Sequence, residues 1–60
     1  MIRFKEGDQV WDLSITQHGA GVVRTVYPDS YNCYMVEFFS NPGWLTPRAD
    51  RDLRTNFVPH

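Results

Sequence analysis

Apolar and polar positions alternate with a period of two in short bursts, and glycine, proline, asparagine or aspartate ends each burst before it reaches helix length. Two runs dominate, Gly21-Val22-Val23-Arg24-Thr25-Val26-Tyr27 and Tyr34-Met35-Val36-Glu37-Phe38-Phe39. Their β-branched and aromatic residues suit a pleated, half-buried surface. Gly7-Asp8 launches an earlier strand through Val10, Trp11 and Leu13, and Trp44-Leu45-Thr46 forms a short fourth strand ended by Pro47. Residues 14–21 are a polar loop in which Gly19 and Gly21 supply positive φ or close backbone approach. Pro28-Asp29-Ser30-Tyr31-Asn32 and Ser40-Asn41-Pro42-Gly43 carry turn chemistry. Asp50-Arg51-Asp52-Leu53-Arg54 is too short for a stable α-helix and reads as a single 3-10 turn with Leu53 inward, after which 55–58 closes the structure and Pro59-His60 frays. The expected fold is one all-β domain over 1–60, a small five-stranded antiparallel barrel with one short 3-10 turn.

Parity separates the faces of the third strand. Tyr34, Val36 and Phe38 share one face, assigned to the core, and Met35, Glu37 and Phe39 share the other. Val10, Val23, Val26 and Leu53 complete the core. Because Val23 and Val26 are three apart, both can face inward only if the second strand bulges, and such bends close small barrels.

Sixty residues are near the lower size at which a core supports a fold without disulfide, metal or partner subunit, so a homo-oligomer is compatible with this length. The formal charge of -1 gives no global field for nucleic acid or anionic membrane, which restricts nucleic-acid binding to a local patch. Cys33 is the sole cysteine, so no internal disulfide framework exists and a reducing, cytoplasmic setting is expected. No run approaches the roughly 20 apolar residues that span a bilayer, and the first residues carry no visible signal segment.

The parity that buries Val10 and Phe38 leaves Trp11 and Phe39 outside, with Trp44 and Tyr27 as further exposed aromatics, so a protein-contact patch centred on Trp11 and Phe39 is expected. Plain packing at the open ends of a small barrel is the competing reading of each ring. Arg48, Arg51 and Arg54 recur every three residues and on a 3-10 turn would form one basic edge for a partner, although Asp50 and Asp52 between them favour a solvated, neutralised turn. Arg24 and Glu37 fit a cross-strand pair. His18 reads as a solvated turn residue, and no His, Cys or carboxylate spacing defines a metal site. Cys33 reads as a small apolar strand residue. Ser14, Thr16 and His18 contain the elements of a nucleophile and base, but their spacing demands no such chemistry. The expectation is a non-enzyme without cofactor.

Phe4-Lys5-Glu6-Gly7-Asp8-Gln9-Val10, His18-Gly19-Ala20-Gly21-Val22-Val23, Tyr34-Met35-Val36-Glu37-Phe38 and Asp52-Leu53-Arg54 together resemble the Tudor-like RNA polymerase interaction modules of the CarD and transcription-repair coupling factor families. The resemblance covers most of the chain and implies an SH3-like barrel that binds RNA polymerase partly through an exposed strand edge. Gly7-Asp8-Gln9-Val10, residues 23–27, Tyr34-Met35-Val36-Glu37 and Pro42-Gly43 are also similar in order to plasmid type II dihydrofolate reductase, whose small barrels tetramerise around a pore. That family's Val-Gln-Ile-Tyr pore run has no counterpart at Trp44-Leu45-Thr46-Pro47. The expected function is therefore a small protein-interaction module, of the kind a transcription-related or phage or mobile-element accessory regulator uses to bind a host protein. The alternatives are a nucleic-acid-binding barrel and an oligomeric small-barrel enzyme.

Overall fold

The computed structural model describes residues 2–55. Five antiparallel strands form one sheet: β1 (Gln9–Asp12), β2 (Ala20–Val26), β3 (Tyr34–Phe38), β4 (Leu45–Arg48) and β5 (Leu53–Thr55). Two 3-10 turns, Thr16–His18 and Asp50–Asp52, are the helical elements among the described residues, one more than the sequence predicts. The spatial order is β4-β3-β2-β1-β5, so the sheet is open between β4 and β5 and compatible with a small SH3-like barrel.

Period-two alternation decides which side chains the sheet buries. Val10, Val23, Tyr34, Val36, Phe38 and Leu53 form the core with Phe4 and Cys33, and Val26 packs against it while partly exposed. The expected bulge lies between Val23 and Thr25: Val23 pairs with Val36 and Thr25 with Met35, which leaves Arg24 as the extra residue. Its side chain turns outward, where Nε donates to Glu37 Oε1 at 2.8 Å, as the cross-strand reading anticipates.

The two glycines of the β1–β2 connection act differently. Gly19 has φ 69° and reverses the chain after the first 3-10 turn. Gly21 lies opposite Phe38, and a Cβ there would stand 2.7 Å from the Glu37 carbonyl oxygen and 2.9 Å from Phe38 Cα. Backbone lines this contact, so no side chain can move aside to relieve it.

Several boundaries differ from the sequence reading. β1 stops at Asp12, and Leu13 is exposed in the loop. Cys33 is buried immediately before β3 and is not part of it. β4 begins at Leu45, after Trp44, and runs through Pro47 to Arg48. An edge strand tolerates a proline because one of its sides has no ladder to complete. The final strand starts at Leu53, buried as expected; positions 56–58 of the expected closing strand and the expected frayed end, 59–60, lie outside the described residues.

Two substitutions test this packing. Gly21→Ala should lower stability by about 1–3 kcal/mol through backbone displacement. Val36→Ala should cost about 1–3 kcal/mol by opening a cavity at a fully buried position. Urea midpoints at constant m-value would measure both.

Candidate functional site

The outer face of the sheet is assembled by register. Arg54 pairs with Trp11, Trp11 with Ala20, and the Phe39 N–H donates to the Ala20 carbonyl at 3.0 Å. Directly paired residues point to the same side of a sheet. Arg54, Trp11, Ala20 and Phe39 therefore form one row on the side opposite Val10, Gly21 and Phe38. The next row is Gln9, Val22, Glu37 and Leu45. Trp11 is 38 % exposed, Phe39 57 % and Leu45 44 %. Ala20 is itself half-buried, so the flanking rings do not close over it.

Two contacts steady this surface. Ser40 Oγ donates to the His18 carbonyl, joining the β3–β4 turn to the β1–β2 loop. Glu37 accepts from the Gly43 N–H at 2.8 Å as well as from Arg24. The Gly43 bond, followed by the Arg24 bond, holds the Glu37 carboxyl below its ordinary value.

The other residues expected in the patch are distributed differently. Trp44 closes the β3–β4 turn, at the same end of the sheet as Phe39, and is 66 % exposed. Tyr27 follows the far end of β2, at a strand length from Ala20. Arg48, Arg51 and Arg54 do not form one edge, because only Arg51 belongs to the 3-10 turn while the others lie on β4 and β5. Arg51 sits over the Tyr31 ring, and Arg48 turns inward.

Arg48 turns inward to meet a group that the sequence reading missed. The Asp12 carboxylate is fully buried: Oδ1 accepts from Ser14 N, Ile15 N and Arg48 Nη2, and Oδ2 accepts from His18 Nδ1 at 2.8 Å. Arg48 Nε is ion-paired to Oδ2 at 3.1 Å without hydrogen-bond alignment. His18, expected in solvent, is thus tied to Asp12 and stacks on Phe38 with ring centroids 4.5 Å apart. Ser14 Oγ donates to Asp52, so the Ser14–His18 pairing of a nucleophile and base is not assembled. Strict alternation offered a signal for Asp12, since it stands two residues after the buried Val10.

Burial alone would push the Asp12 pKa up, but the Ile15, His18, Arg48 and Ser14 contacts outweigh it and hold the carboxyl below 3.8. Asp52 is lowered by the Ser14 hydroxyl, against burial, with help from the Ala49 N–H and Arg48.

A second polar tie lies on the other side of the same 3-10 turn. Asp50 accepts from Tyr34 Oη and from Arg3 Nε, while Tyr34 Oη accepts from the Arg3 and Phe4 N–H groups. Burial would raise the Asp50 pKa, but Tyr34 and Arg3 bring it below its ordinary value. Burial and the bond to Asp50 raise that of Tyr34. Beside this tie an open depression of about 290 Å³ is lined by Ile2, Pro28, Tyr31, Cys33 and Arg51 among others.

No protein-family model, curated protein or solved structure matches the chain. Among the described residues no helix is long and apolar enough to cross a membrane.

Removing the Asp12 carboxylate strands a buried Arg48, so Asp12→Ala should destabilise the domain by about 3–5 kcal/mol, measurable by thermal unfolding. The lowered carboxylates also set an acid limit. Their folded pKa values lie below the unfolded ones, so their stabilisation is present above the ordinary 3.8 of Asp12, Asp50 and Asp52 and is lost as pH falls through the folded values. Urea midpoints should therefore fall as pH drops below about 4, and Asp52→Asn should make that fall shallower.

Proposed function

We propose that this chain is a protein-interaction module that binds its partner through the outer row of Trp11, Ala20 and Phe39. The register that aligns these residues with Arg54 across four neighbouring chain segments is the observation that carries this reading. Large apolar side chains left outside a well-filled core are what a contact surface consists of. Backbone pairing at an edge is a further means of attachment. Pro47 removes a donor from β4, which leaves β5, beside Trp11, as the better edge.

The resemblance to RNA polymerase interaction modules makes polymerase the first partner to test and a cytoplasmic transcription regulator the specific form of the proposal. Binding rather than catalysis is favoured because the Ser14 hydroxyl donates to Asp52 and is not paired with His18 as a nucleophile would be with its base.

The test is affinity capture from host lysate, with and without nuclease, followed by mass spectrometry. A dominant protein that survives nuclease treatment and is lost with Trp11→Ala or Phe39→Ala is the expected result. Phe39→Ala should cost less than about 1 kcal/mol of stability because that ring is mostly exposed, and Trp11→Ala about 1–3 kcal/mol because most of Trp11 is covered, with the fold retained in both. Recovery that disappears with nuclease would assign the chain to nucleic acid, and self-capture alone would make the face a contact between copies.

A further inference from the structure

Resting on that reading of the outer face, we infer that its partner is an extended acidic–apolar protein segment: one aliphatic side chain enters the notch between Trp11 and Phe39, and an Asp or Glu two or four positions away pairs with Arg54. Trp11 and Phe39 flank Ala20 in the row, so their backbones are two strand spacings apart, roughly 10 Å. The floor between them is a methyl group that remains accessible, with Val22 next to it on the same face of β2. A gap of that width takes one Leu, Ile or Met side chain.

Charge fixes the rest of the partner's chemistry. On this face Arg24 and Glu37 neutralise each other at 2.8 Å. Arg54 is exposed and has no ion pair among the described residues. Among the described residues the row therefore ends in a positive charge without an ion pair, two strands or roughly 10 Å from the notch floor. Side chains two apart on an extended segment share a face and are separated by roughly 6.6 Å, and those four apart by roughly 13 Å. The lengths of the arginine and the acid span the difference from either spacing. A single free arginine matches one carboxylate, whereas nucleic-acid binding draws on several phosphate contacts.

The experiment is selection of a random-peptide phage library on the full chain and on Arg54→Glu, followed by anisotropy titration of the enriched peptides. Wild type should enrich peptides with an aliphatic residue two or four positions from Asp or Glu, and Arg54→Glu should exchange the acid for Lys or Arg at that position. Arg54→Glu should also weaken the wild-type peptides at least about fivefold, while circular dichroism stays unchanged. Peptides that need Trp11 and Phe39 but show no acidic preference, or no exchange on charge reversal, would overturn this partner chemistry and leave the interaction face standing. Failure to enrich any peptide sensitive to Trp11→Ala would overturn both. A labelled oligothymidine that binds at low salt and is lost with Arg54→Glu would replace the peptide with single-stranded nucleic acid.

Discussion

The closure of this domain depends on the buried pair of Asp12 and Arg48. Asp12 is on β1 and Arg48 on β4, and two strands separate them in the sheet order. Their contact therefore requires the sheet to curl until the inner face of β4 meets that of β1. Among the described residues backbone pairing does not join the sheet edges, and side chains take over: Arg48 also reaches Asp52 at 3.6 Å, and Asp52 holds Ser14 and the Ala49 N–H. The carboxylate at the centre of this clasp is stabilised by several donors, two of them backbone N–H groups, as a buried charge must be. Such a pair adds less net stability than its contacts suggest, since desolvation opposes them. Its directional geometry is better suited to fixing how the strands cross than to strengthening the core.

The 3-10 turn Asp50–Asp52 extends the same logic to both sides. Asp52 faces the Asp12 clasp, while Asp50 takes Tyr34 Oη and the Arg3 side chain and so ties the chain's first described residues to the core. Arg3 adds bonds to the Asp50 and Leu53 carbonyls. Three residues thus connect β4, β5, the β1–β2 loop and the N-terminal segment. In a chain of 60 residues, whose apolar core is small, such polar ties can hold segments that packing alone would leave loose.

Strand parity was legible in the sequence because β-branched and aromatic residues alternate cleanly in β3 and because the Val23–Val26 spacing permits only a bulge. The polar interior was not. Aspartate and arginine are almost never fully buried without a partner, and the arginine that pairs with Asp12 lies 36 positions away, where local patterning carries no information. The same gap explains the basic stripe: spacing by three aligns arginines only on one continuous 3-10 turn, and here the turn is confined to Asp50–Asp52. Pro47 misled for a related reason, since whether proline ends a strand or sits within it depends on that strand being at an edge. On the outer face, parity placed Trp11 and Phe39 outside, but their alignment through Ala20 required the register of three strands.

The distribution of side chains separates what holds the domain together from what it can present. A charged clasp and the three valines Val10, Val23 and Val36 lie inside, while rings as large as Trp11, Phe39 and Trp44 lie outside, the reverse of what burial preferences alone would select. Moving those rings inward would overfill a core already occupied by Tyr34, Phe38 and Leu53. Gly21 marks the limit, because even one methyl group on β2 would strike β3 backbone there. The inner face is therefore sterically committed, and the outer row is free to vary without repacking it. That independence is what allows a domain this small to keep large aromatic rings on its surface while its fold rests on other residues.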